Sequence, residues 1–143
     1  DKNTSLVVIF KTFMFSLLLA FILSILIFLI GFNIFEIFTS LDVILNECKK
    51  LFPYLLLLPI VSVWAFMLDG FFVGAAKSKP MRNSTLLAFC VFIILNYFIM
   101  LINPNIQYLW LSYLIFLLLR GVFLSFYFNS LFVYDNQILG KDK

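Results

Sequence analysis

An all-α integral membrane fold is predicted by two features of this 143-residue sequence: its apolar excess, and the way that excess falls into long runs parted by short polar connections. Hydrophobic residues make up 64% of the chain, charged residues 12%, and the mean hydropathy is +1.13. Soluble domains carry about 25% charged residues, so there is too little polar surface here to cover a water-soluble globule. A helix needs ~20 predominantly apolar residues to cross a bilayer. Four stretches meet that requirement, at about 12–32, 52–76, 84–102 and 107–129. Together with a short interfacial helix at about 34–50, they predict that residues 1–143 form a single transmembrane helical unit in contact with the lipid bilayer.

The first span lies in the uncharged run Thr12–Phe35. That run is longer than the apolar core of a signal peptide and no small-x-small cleavage site follows it, so it reads as a true span. The chain opens on Asp1 rather than Met, as expected of a processed chain or a piece of a longer protein. In 34–50, Ile34, Phe35, Ile37, Phe38, Leu41, Ile44 and Leu45 recur at helical spacing among Glu36, Asp42, Glu47, Lys49 and Lys50. This pattern predicts an amphipathic helix lying on the membrane surface; a loop with some helical character is the alternative.

Pro53 and Pro59 sit early in the second span. Pro59 removes a backbone donor and is expected to bend the helix, with Ser62 placed to help satisfy the freed groups. Further on, Gly70 and Gly74 stand four residues apart, and Ala75 and Ala76 extend the small surface. Small residues at that spacing let a neighbouring helix pack closely; the other possibility is that they leave space beside Asp69 for an ion, water or substrate. The third and fourth spans are divided by Asn103-Pro104-Asn105. Pro ends the helix and Asn supplies turn chemistry, which makes these two spans antiparallel neighbours. Ser130–Lys143 reads as a frayed cytoplasmic end.

Orientation follows from basic residues in short connections. Lys77, Lys79 and Arg82 stand in 77–83 without an acid, whereas 34–50 holds two Lys against three acids and 103–105 holds no charge. The 77–83 loop and both termini are therefore expected to be cytoplasmic, in a multi-pass protein of the plasma membrane. The net charge of +3 is too small and dispersed for nucleic-acid binding. The chain has no His, the usual near-neutral proton shuttle and commonest metal ligand. Cys48 and Cys90 occupy different settings and read as small apolar filler. His-Glu-x-x-His, Gly-x-Ser-x-Gly and phosphate-binding Gly-rich patterns are missing, so no enzyme, no metal site and no bound cofactor are expected.

Two charges lie inside spans, Asp69 in the second and Arg120 in the fourth. A carboxylate at depth in hydrocarbon costs at least ~2.5–3.5 kcal/mol, so it needs a partner, a wet cavity or a proton. At ~1.5 Å rise per residue, Asp69 lies ~24 Å beyond Pro53 and Arg120 ~20 Å beyond Gln107. In the predicted topology both helices run the same way, so the two charges are nearly level. An ion pair that only docks helices, and a carboxylate facing water that exchanges partners as it gains or loses a proton, both remain open. Asn96, Tyr97, Ser112 and Tyr113 suit interhelical hydrogen bonds or a polar path. Trp110 fits an interfacial anchor, and Trp64 is deep enough to face the bundle. The 20 Phe are scattered over all four spans as packing and lipid-facing surface.

Val63-Trp64, then Leu68-Asp69-Gly70-x-Phe72-x-Gly74-Ala75, then Met81-Arg82-Asn83-Ser84, and later Leu119-Arg120-Gly121 resemble the C-terminal part of DinF-like transporters in the multidrug and toxic compound extrusion (MATE) family. The run from Asp69 to Ser84 is the specific part, because it joins a buried acid, a small face and a basic connection at fixed spacing. The resemblance implies a portion of the C-terminal six-helix lobe of a twelve-helix fold, with the four spans as its ninth to twelfth and Met81–Ser84 in a cytoplasmic loop. It also implies a proton- or sodium-coupled antiporter that exports drugs or other amphiphilic organic compounds by alternating access, together with an N-terminal lobe. In that setting Asp69 matches the acid of the tenth span and is the candidate ion-coupling or substrate-pathway carboxylate, with Arg120 its charge partner and Gly70 and Gly74 the packing surface beside it; the motif leaves open whether Asp69 couples to an ion or mainly holds the lobe together. Family members carry an important coupling acid in the first span of the N-terminal lobe, which these four spans do not include. The alternatives are a small four-span exporter working as a dimer and a non-transporting scaffold or assembly subunit.

Overall fold

The computed structural model describes residues 2–128, with side chains from Val7 onward except Phe32. All regular structure among these residues is helical: α1 (Lys2–Phe38), α2 (Asp42–Gly74), α3 (Ser78–Ile102) and α4 (Ile106–Phe126). All four are long and apolar enough to cross a membrane. Asn129, at the end of the predicted fourth span, and the expected frayed end Ser130–Lys143 lie outside the described residues.

The predicted interfacial helix at about 34–50 is not a separate element. Residues up to Phe38 continue α1, and Asp42 opens α2. Nothing between Gly31 and Phe38 breaks a helix, so α1 propagates past its apolar stretch. The interruption falls at Thr39–Leu41, where the Thr39 hydroxyl accepts a hydrogen bond from the Leu41 N–H at 3.2 Å. Ser and Thr favour such local bonds over continued helix. At 33 residues α2 is ~50 Å long, well beyond the ~30 Å hydrocarbon core, so it tilts or projects from the membrane.

The predicted loop 77–83 also changes. Lys77 is the N-cap of α3, and Ser78–Asn83 already belong to the helix. Pro80 does not prevent this, because a first-turn residue needs no N–H donor and a Pro φ suits helix. The connection is therefore only Ala75–Lys77. There α2 closes in a Schellman motif: Lys77 N–H donates to Phe72 O and Ala76 N–H to Val73 O, both at 2.9 Å. Ala76 holds the left-handed position that this motif requires, with φ 54°.

The connection between α3 and α4 does fall at Asn103–Asn105. Asn105 caps α4, its side chain accepting from Gln107 N–H at 3.0 Å. Ser112 on α4 donates to Asn96 Oδ1 on α3 at 3.1 Å, and Asn96 Nδ2 bonds Phe92 O on its own helix. These two polar residues therefore clamp neighbouring helices.

Side by side, the helices run α1–α2–α4–α3, with only slight contact between α2 and α3. On α1 the less exposed positions 13, 17, 20, 24, 27, 31 and 35 recur at a spacing of three and four, which makes a narrow seam toward α2. Along it Phe13 meets Trp64 edge-on, Ser24 donates to Leu56 O at 2.9 Å, and Phe35 meets Phe52. Gly31 admits the Phe52 ring, which would lie 3.1 Å from a Cβ there. Between α2 and α4, Ala65, Leu68 and Phe72 are buried on one side and Leu117, Gly121 and Leu124 on the other. Large apolar residues elsewhere on the helices, such as Phe10, Phe15 and Phe28, are more than 60% exposed, as suits a surface solvated by lipid.

α2 continues through both Pro53 and Pro59, and Pro59 is buried. Ser62 donates to Pro59 O at 3.2 Å rather than to Leu55 O, the carbonyl whose donor the ring removes. Beside Pro59, between α1 and α2, lies an open apolar cavity of about 640 Å³.

Candidate functional site

Asp69 and Arg120 meet between α2 and α4. Arg120 Nη2 donates to Asp69 Oδ2 at 2.5 Å, and the two side chains are 13% (Asp69) and 20% (Arg120) exposed. Their positions follow from the helical faces that bring α2 and α4 together. Asp69 follows buried Leu68, and Arg120 precedes buried Gly121, so both stand at the edge of the apolar contact and lean across it. The Arg120 guanidinium also lies over Phe66, 5.9 Å from the ring centroid, at the edge of cation–π range. Asp69 is five residues from the end of α2 and Arg120 six from the end of α4, or ~8 and ~9 Å along their axes. The pair is thus close to the ends at which α2 hands over to α3.

The pair is satisfied on one side only. Asp69 Oδ1 and Arg120 Nε are buried and have no hydrogen-bond partner among the described residues. A buried carboxylate oxygen without a donor costs several kcal/mol less when it takes up a proton, a cation or a water. The titratable groups brought together here are one carboxylate and one guanidinium; among the described residues no cluster of three or more His, Cys, Asp and Glu forms.

Below the pair, Leu68, Phe72 and Leu124 form a buried cluster, with Met67, Met81, Tyr127 and Phe128 packed against it. Met81 and Ser84 of the predicted loop motif are thereby built into α3. Ser84 is fully buried and donates to Met81 O at 2.9 Å, while Arg82 is exposed and Asn83 half-buried. Gly70 and Gly74 do not pack against another of the four helices: a Cβ on either would meet nothing within 4 Å. They lie on the side of α2 turned away from Leu68 and Phe72, a side that no described helix covers. The close-packing surface instead forms at Gly121, where a Cβ would overlap the Trp64 indole.

Trp64 is the site residue whose role the sequence obscured. Its Nε1–H donates to Ser125 Oγ at 3.0 Å, and Ser125 in turn donates to Gly121 O at 2.8 Å. Phe13 of α1 meets the indole edge-on, centroids 5.6 Å apart. Gly121 and Ser125 at i and i+4 are a small-residue notch, a detectable signal hidden behind the longer Gly70–Ala76 stretch. Trp110 is half-buried and, with Leu58, Phe92, Leu109 and Tyr113, lines a cavity of about 510 Å³ between α2, α3 and α4.

Fold and site together define a multi-pass membrane protein with an ion pair between two of its spanning helices. The MatE family model matches residues 4–98, and the chain belongs to that family. It is similar to DNA damage-inducible protein F of Escherichia coli (strain K12), at 32% identity over 108 residues, which are 76% of this chain and 23% of the relative. The chain therefore spans less than a quarter of that relative's length. No solved structure matches it.

Proposed function

We propose that this chain is the C-terminal part of a cation-coupled antiporter that exports drugs or other amphiphilic organic compounds by alternating access. Family membership supports a transport role, and one observation supports coupling at Asp69: a carboxylate held within apolar helices by a guanidinium on one oxygen, with its second oxygen buried and unpaired. Protonation would neutralise Asp69 and leave the Arg120 charge buried without its counter-ion. Stranding one member of a buried pair costs about 3–5 kcal/mol, so proton entry would favour a rearrangement in which Arg120 finds another partner. Sodium would have to compete with the guanidinium for the same carboxylate. Both ions stand as coupling candidates, and this competition favours the proton. In this reading the chain works with an N-terminal lobe in the plasma membrane, and the termini and the α2–α3 connection are cytoplasmic.

Export by the intact protein in vesicles, driven separately by proton and sodium gradients, tests the proposal. Asp69→Asn is expected to insert normally and to lower cation-driven export by about tenfold or more, equivalent to ~1.4 kcal/mol of lost coupling. Unchanged export would remove Asp69 from the mechanism. If Asp69→Asn and Arg120→Gln lower only the amount of folded protein, the pair docks helices and the scaffold reading is favoured.

A further inference from the structure

Trp64 lies one and a half turns before Asp69 on α2, and its contacts converge on the residue that follows Arg120. The indole occupies the space that a side chain at Gly121 would need, with its Cγ and Nε1 each 3.3 Å from the position of a Cβ there. Its N–H reaches Ser125 Oγ one turn further along α4, and Ser125 passes a hydrogen bond back to Gly121 O. The α4 backbone is thus held at Gly121 by a ring on its surface and a hydrogen bond beside it. Arg120 is covalently next in line and spans the gap to Asp69. The indole remains partly exposed, and Phe13 of α1 meets it edge-on, with ring centroids 5.6 Å apart.

From this arrangement we infer that Trp64 is a positioning residue for the Asp69–Arg120 pair: by seating Gly121 it fixes where the guanidinium stands, and through Phe13 it makes the pair responsive to the packing of α1. A shift of α1 that moved Phe13 would free the indole to turn. Gly121 would then be released, and Arg120 would lose its reach to Asp69. The functional side of this inference rests on the proposed role of Asp69, whereas the geometric side does not.

The test is the rate at which a hydrophobic carbodiimide modifies Asp69 in vesicles carrying the intact protein, read by mass spectrometry of the peptide. Such reagents add to protonated carboxyls in apolar surroundings and are held off by a guanidinium partner. Arg120→Gln sets the rate for an unpaired carboxyl. Trp64→Leu, Gly121→Ala and Phe13→Ala are each expected to raise the rate at least about twofold, the lower end of coupling between contacting residues. Ser125→Ala is expected to do the same and Ser125→Thr to restore the original rate, at an unchanged thermal midpoint in detergent. Loss of packing alone would lower the midpoint without this rescue. Should Gly121→Ala fail to fold, the two Ser125 variants carry the test. A raised rate in Arg120→Gln with unchanged rates in the Trp64, Gly121 and Ser125 variants would overturn the positioning role and leave the coupling proposal standing. A full labelling response combined with unaltered export in Asp69→Asn would support positioning and sink coupling. No change even in Arg120→Gln would overturn both, because the pair would then not control the carboxyl.

Discussion

At Asp69 and Arg120, two residues that are each unfavourable in an apolar helix become tolerable together. Their separation in sequence gave no direct sign of contact, yet equal depth along two co-directional spans was enough to predict that they can meet. The unpaired Oδ1 and Nε atoms were not predictable, because they depend on side-chain rotation rather than on register. Removing one partner should hurt more than removing both. Arg120→Gln is expected to destabilise by about 2–3 kcal/mol, below the usual cost of breaking a fully buried pair because both side chains are partly exposed. The double variant Asp69→Asn/Arg120→Gln should recover more than half of that loss, since two neutral amides can bond each other. Thermal unfolding in detergent gives both values, and strictly additive losses would mean the charges do not interact.

At the scale of the element, hydropathy found all four helices but misjudged their ends. Apolar runs mark where a helix meets lipid, whereas its termini are set by local hydrogen bonds that hydropathy ignores. Thr39 stops α1 through its hydroxyl, Ala76 stops α2 through a left-handed turn, and Pro80 is absorbed into the first turn of α3. Asn103–Asn105 was legible because its turn chemistry is carried by residue type. Two substitutions probe these ends. Ala76→Gly should stabilise by about 0.5–1 kcal/mol, because Gly enters the left-handed region without the steric penalty that Ala bears. Asn105→Ala should cost about 1 kcal/mol by leaving the Gln107 N–H without its cap. Both shifts are measurable as changes in thermal midpoint; an unaltered midpoint in Ala76→Gly would mean the motif is relaxed outside this setting. Gly70 and Gly74 show the converse lesson. Small residues at helix-packing spacing permit close approach, but only a neighbour makes a contact of it, and here Trp64 chose Gly121 instead.

Among the described residues each helix packs mainly against one or two neighbours, and most of its apolar surface faces outward. Such an arrangement has meaning only in a bilayer, and its orientation there decides from which side Asp69 is reached. The pair lies ~8–9 Å from the ends of α2 and α4, on the side of the Ala75–Lys77 connection. Residues 77–83 carry Lys77, Lys79 and Arg82 and no acid in their sequence, whereas Asn103–Asn105 at the opposite end carries no charge. Basic residues in short connections are retained in the cytoplasm, so the carboxylate should be approached from the cytoplasmic face. The shortening of the connection to three residues does not weaken this, because charges within ~15–20 residues of a span end still count toward orientation. In a background with Cys48→Ser and Cys90→Ala, a cysteine placed by Lys79→Cys should react with a membrane-impermeant maleimide only after permeabilisation. One placed by Asn103→Cys should react in intact cells. The reverse pattern would put the Asp69–Arg120 pair at the outer face, where a coupling carboxylate would take its proton from outside before any rearrangement of α4, and the direction of the proposed exchange would have to be inverted.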